Sequence, residues 1–148
     1  PSIYYGNLEK YKGYHIRQLC QEMHDFYKDR NVSTLQQRLF LHDYFPEYVM
    51  NPQEANFEFQ RGKAELVPLT EAEGRVALEG ALPYPPGVLC VQPGERWSKT
   101  ACDYFLALEE GINKLPGFAP EIQGVYITEQ PDGLKKAYGY VLKKEFEK

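Results

Sequence analysis

The stretch from Ala81 to Trp97 constrains the fold of this chain more than any other, because four prolines and two glycines bracket a short apolar run. Each proline fixes its own φ and drives the residue before it towards extended geometry. Leu82 to Gly87 is therefore expected to form a stiff, extended corner and not a helix. Val88 to Gln92 then reads as a short strand, ended by Pro93-Gly94.

Helical periodicity lies on either side of this segment. From Tyr14, the residues Ile16, Leu19, Cys20, Met23, Phe26 and Tyr27 recur at three- and four-residue spacing, which predicts an amphipathic helix with those side chains inward. Asp29-Arg30-Asn31 breaks it. Ser33 or Thr34 can cap a second helix, with Leu35, Leu39 and Phe40 inward and Phe45-Pro46 as its end. Asn51-Pro52 supplies an N-cap and a first-turn proline for a short third helix that stops near Gly62. Ser98 or Thr100 can cap a fourth, with Ala101, Phe105, Leu108 and Ile112 on one face and Leu115-Pro116-Gly117 as the stop.

Between the third and fourth helices the period shortens. Ala64 to Leu69 and Arg75 to Leu82 read as strands joined by the turn Thr70 to Gly74, and Pro68 marks the first as an edge strand. Ile122 to Thr128 and Lys135 to Leu142 flank Gln130-Pro131-Asp132-Gly133, a hairpin signal. Helices, strands, a helix and a hairpin without regular βαβ alternation define a single α+β domain over residues 1–148. A small mixed or antiparallel sheet is expected in it.

Composition narrows the function. A length of 148 residues suffices for one hydrophobic core. A formal charge of −4 argues against a nucleic-acid partner, which calls for a basic face. No apolar run reaches the roughly 20 residues that cross a bilayer, so no membrane partner is expected. Cys20, Cys90 and Cys102 are odd in number and lack metal-ligand spacing, which suits a reducing cytoplasm. The 12 Tyr, 8 Phe and 1 Trp are more than a small core needs and fit a surface that docks on protein, although half-exposed tyrosine explains them equally well.

Chemistry-bearing residues are sparse. His24-Asp25 and His42-Asp43 repeat a pair found in some metal sites, but no second ligand pair converges with them in sequence and no metal is expected. Cys20 and His24 lie one helical turn apart, close enough to touch. Cys20 also falls in the apolar stripe, where packing is the commoner fate of a cysteine. No glycine pattern forms a phosphate cradle. Glu95 is held by the turn Pro93-Gly94-Glu95-Arg96 beside an arginine and Trp97. It is either a local salt-bridging carboxylate or an anchor to a neighbouring domain. Tyr84 at the proline corner divides in the same way between packing and docking.

The run ALPYPPGVLCVQPGE over residues 81–95 resembles the C-terminal domain of bacterial pyridoxal-phosphate-dependent ornithine/lysine/arginine decarboxylases. RQLCQEMHD at 17–25, LEEG at 108–111 and LPGFAPEIQGVY at 115–126 are most similar to the ornithine branch. The resemblance implies an accessory domain packed beside a large cofactor-binding domain, near the substrate channel and the contacts with neighbouring subunits. The parent reaction would be L-ornithine to putrescine plus CO2, with pyridoxal phosphate held as a Schiff base by a Ser-x-His-Lys lysine. This chain has no Ser-x-His-Lys, so no catalytic or cofactor-binding residue is expected on it. The start at Pro1 fits a cut within a longer protein. Tyr84, Pro85, Pro86, Gly87, Glu95 and Trp97 are the candidates for docking or for the channel mouth. The competing readings are a stand-alone binding or regulatory module of the same fold, and an independent enzyme built on Cys20 and His24.

Overall fold

The computed structural model describes residues 8–84 and 87–147, so Pro85 and Pro86 lie outside the described residues. Four α-helices and two small antiparallel sheets occur among those described, which makes the domain α+β. Helix α4 (Lys99–Lys114) is central. Ser98 Oγ accepts from the Ala101 amide at 3.2 Å and opens the helix, as a serine N-cap should. Ala101, Phe105, Leu108 and Ile112 are buried as the spacing predicts, but Cys102, Tyr104 and Ala107 are buried too. Two faces of α4 are covered, because α2 packs on one side and the sheet on the other.

Helix α1 (Ile16–Asp29) buries a narrower stripe than its periodicity suggests. Leu19 and Phe26 are inside, and Phe26 sits where a side chain on Gly111 of α4 would meet it. Cys20 is exposed and Ile16 is 58% exposed, contrary to expectation. Adjacent helical residues are about 100° apart, and a helix lying on the outside of the core covers only one of them.

Helix α2 (Val32–Arg38) also departs from expectation. Its N-cap is Asn31, in the left-handed region at φ 52°, so Ser33 and Thr34 fall inside the first turn and do not cap it. It stops at Arg38, well before Phe45-Pro46, and the chain continues through a single 3-10 turn at His42–Tyr44. Leu39 is buried but Phe40 is 50% exposed.

Helix α3 (Pro52–Gln60) begins as predicted. Asn51 Oδ1 accepts from the Glu54 amide at 2.8 Å and the Asn51 amide donates back to Glu54 at 3.1 Å. A reciprocal cap of this kind contributes about 1 kcal/mol. Ala55, fully buried, lets the helix approach Val76, Leu78 and Leu142.

Strands β1 (Ala64–Pro68), β4 (Tyr126–Glu129) and β5 (Lys135–Leu142) form a sheet in the order β1-β5-β4, with Leu66 opposite Tyr140 and Tyr126 opposite Tyr138. Pro68 ends an edge strand, where its missing N–H costs nothing. The hairpin at residues 130–133 forms, but residues 122–128 divide. Strand β3 (Glu121–Gln123) pairs instead with β2 (Leu82–Tyr84), the extended corner of the proline segment.

Two strand expectations are corrected. Residues 75–82 do not form a hairpin with β1. Arg75, Val76, Ala77 and Leu78 are all buried, and the segment bonds alternately to Arg96, Val141 and Val91 through single bridges. A segment threaded between layers loses the alternation that marks a half-buried strand. Residues 88–92 likewise reduce to one bridge, Ala81 to Val91.

Gly124 joins the two sheets at φ 73°, and a Cβ there would lie 1.9 Å from the Gly80 carbonyl oxygen. Gly124→Ala is expected to cost roughly 3 kcal/mol or more, from left-handed strain plus a backbone clash. Gly133→Ala, at φ 82° in open space, is expected to cost only about 1–2 kcal/mol. Urea midpoints of the two variants measure the difference, and equal losses would contradict the close approach at Gly124.

Candidate docking site

The proline corner and the turn that follows it have different jobs. Tyr84 ends β2 opposite Glu121 and is 55% exposed. Gly87, at φ 78°, turns the chain back, and its amide donates to the Pro83 carbonyl at 2.9 Å. Any side chain on Gly87 would press on the Tyr84 ring, with a Cβ 3.2 Å from Cδ2. Tyr84 is thus outward, and Val88 and Leu89, which follow Gly87, are exposed as well.

The second turn, at Pro93-Gly94-Glu95, faces inward. The Gly94 amide donates to the Ala77 carbonyl at 2.7 Å, and its carbonyl accepts from the amides of Val49 and Met50 at 3.0 and 3.1 Å. Glu95 is half-buried, and its carboxylate accepts from the Gln92 amide at 2.8 Å, closing its own turn. Trp97 is 2% exposed, packed edge-on against Phe105 with ring centroids 5.8 Å apart and lying over Gly139. Its indole Nε1 is the one fully buried side-chain nitrogen or oxygen without a hydrogen-bond partner among the described residues. Trp97 therefore supports this region from within the core and shares no outer face with Tyr84. Of the candidate residues described, Tyr84 and Gly87 are outward, while Glu95 and Trp97 serve the turn and the core.

Two features gave little signal in the sequence. The first is an ion cluster around Arg75, which is 9% exposed. Its guanidinium donates to Glu65 at 2.5 Å, Glu147 at 2.9 Å and the Leu142 carbonyl at 2.7 Å. Burial works against the Arg75 charge, but its bonds to Glu65 and Glu147 outweigh burial and raise its pKa above the usual arginine value. Arg96 joins through Glu147 at 3.4 Å and Glu47 at 3.3 Å, so the residues after β5 are clasped to the turn. The partners lie up to 72 residues apart in sequence, and no local pattern links them. The second feature is the run Phe40 to Tyr48, in which Phe40, Leu41, Tyr44, Phe45 and Tyr48 are all exposed.

The other chemistry-bearing residues do not assemble. Cys20 and His24 are both exposed, and no hydrogen bond joins them. His24 lines an open groove of about 530 Å³ with Tyr27, Gln36, Pro83, Tyr104 and Pro120, but Cys20 does not reach it. Burial pushes the Cys90 thiol up to about 11 and the Cys102 thiol to about 12, which keeps both protonated and unreactive at neutral pH. Among the described residues no three of His, Cys, Asp and Glu are grouped to hold a metal ion. No described helix is long and apolar enough to cross a membrane. The Tyr126 phenol is raised to about 12, first by its 2.7 Å bond to Glu79 and then by burial. That bond ties the threaded segment to β4 and leaves no nucleophile at neutral pH.

The matches to known proteins place the domain in a family. The family model for the Orn/Lys/Arg decarboxylase C-terminal domain matches residues 33–143. The chain is 68% identical to an ornithine decarboxylase of Haemophilus influenzae over 142 residues, and 62% identical to the inducible ornithine decarboxylase of Escherichia coli over 143. These matches cover 96% and 97% of this chain but only 20% and 19% of the relatives, so the chain spans about one fifth of their length. The solved constitutive lysine decarboxylase of Escherichia coli superposes with a TM-score of 0.80 at 32% identity, over 97% of this chain and 20% of that one. This chain belongs to the family of Orn/Lys/Arg decarboxylase C-terminal domains.

The Arg75 cluster carries a direct test. Arg75→Ala leaves Glu147 and Glu65 without their buried partner and is expected to cost about 2–4 kcal/mol, with Arg75→Lys recovering only part of it. Urea unfolding at neutral pH measures both. A loss within experimental scatter for Arg75→Ala would show that the clasp contributes nothing.

Proposed function

We propose that this chain is the accessory C-terminal domain of a pyridoxal-phosphate-dependent ornithine decarboxylase whose overall reaction is L-ornithine to putrescine plus CO2. The observation that carries the choice of substrate is the contrast in identity. Over nearly its whole length the chain is 68% and 62% identical to two ornithine decarboxylases, against 32% to a lysine decarboxylase of the same fold.

The cofactor supplies an electron sink when the substrate carboxylate leaves as CO2. No Ser-x-His-Lys occurs in this chain. The cofactor is therefore assigned to the large domain of the parent, and no step of the reaction is assigned to a residue here. The role left to this domain, spanning 1–148, is packing against that large domain and neighbouring subunits. Exposed Tyr84 and Gly87 suit the rim of a channel; Pro85 and Pro86 are assigned to the same rim by their place in the sequence, and Glu95 and Trp97 support the domain from the turn and the core behind it. Three free cysteines suit a reducing cytoplasm.

Decarboxylation by the full-length gene product, followed as CO2 release from ornithine and from lysine, tests this reading. Ornithine is expected to be preferred in kcat/KM, and this chain alone is expected to release none. Preference for lysine would overturn the substrate, and turnover by this chain alone would overturn the accessory role.

A further inference from the structure

The apolar run from Phe40 to Tyr48 is not explained by the fold of the domain. Phe40, Leu41, Phe45 and Tyr48 are 50, 53, 55 and 66% exposed and Tyr44 is 38% exposed, so five large apolar side chains crowd the surface within nine residues. Scattered apolar side chains are ordinary on a protein surface, but a contiguous patch marks an interface.

The backbone beneath these side chains is fixed without their help. Leu39 anchors one end in the core. A 3-10 turn follows, with the Tyr44 amide donating to Leu41 at 2.9 Å and the Phe45 amide to His42 at 3.2 Å. At the other end Tyr48 bridges to Glu95, and the Arg96 amide donates to the Glu47 carbonyl at 2.8 Å. The loop is therefore ordered before it meets anything, which lowers the entropy cost of binding. Phe and Tyr are favoured as interface anchors, and the charges of the run are modest: His42 and Asp43 lie 3.6 Å apart, and Glu47 faces Arg96.

We propose that Phe40 to Tyr48 is the anchor loop by which this domain docks into the upstream body of its parent polypeptide. The inference rests on the reading of the chain as one domain of a longer decarboxylase. The choice of occupant follows from tethering. A free partner needs roughly 800 Å² of well-packed surface buried on each side. A tethered partner needs far less, because covalent linkage supplies an effective concentration in the millimolar range. The relatives carry about four fifths of their length outside this domain, enough to form such a body.

Hydroxyl-radical footprinting of the full-length protein, corrected for intrinsic side-chain reactivity, tests the proposal. Phe40, Tyr44, Phe45 and Tyr48 are expected to be labelled severalfold less than Leu134, which is 56% exposed at the hairpin turn. A photoreactive phenylalanine at position 45 is expected to cross-link to a peptide upstream of this domain. Labelling equal to that of Leu134 would overturn the proposal, as would cross-links confined to this domain or to the same loop of another subunit. Ornithine turnover by the same preparation separates the two failures. An active enzyme with an exposed loop sinks only the docking proposal, whereas a gene product with no upstream region sinks the reading beneath it as well.

Discussion

Gly94 is the point on which the rest of the domain depends. At φ 91° its missing side chain lets the chain pass so close to Met50 that a Cβ would lie 2.1 Å from the Met50 carbonyl oxygen. Through that approach one residue bonds both to the segment that leads into α3 and to the buried stretch at Ala77. Asn51 caps α3 immediately after Met50, and Ser98 caps α4 four residues beyond Gly94. Two helix starts and the threaded segment are thus referred to a single turn. Proline before the glycine and the Glu95 carboxylate behind it make that turn stiff.

This arrangement separates what the domain holds still from what it shows. Trp97, Phe105 and Arg75 lie inside or nearly so, whereas Tyr84, Val88, Leu89 and the Phe40 to Tyr48 run lie outside on segments that the core fixes in place. Apolar groups presented on rigid supports are what an interface requires and what an isolated domain does without. The buried thiols are held protonated, and among the described residues no His, Cys, Asp and Glu group into a metal site.

Elements specified locally were legible in the sequence. Asn51-Pro52 and Ser98 announced α3 and α4 because a cap is a contact between residues three apart, and the hairpin at residues 130–133 was written in its turn residues. Elements specified by distant contacts were not. Residues 75–82 looked like a hairpin partner for β1, whose true partner, β5, follows only after the whole of α4. Cys20 looked internal because its spacing matched Leu19 and Phe26, and spacing does not report how wide a stripe the core will cover. The exposure of Tyr84 could be read from its proline corner. The Arg75 cluster could not, since its partners span the length of the domain.

The proposed function makes this chain one domain of a longer decarboxylase, with the cofactor and its lysine held upstream. The most direct measurement is the intact mass of the native gene product, read together with the coding sequence upstream of Pro1. The account requires a product several times the mass of this chain, with a Ser-x-His-Lys lysine in the upstream region. A native product that begins at Pro1 would contradict it and leave a stand-alone binding module of the same fold.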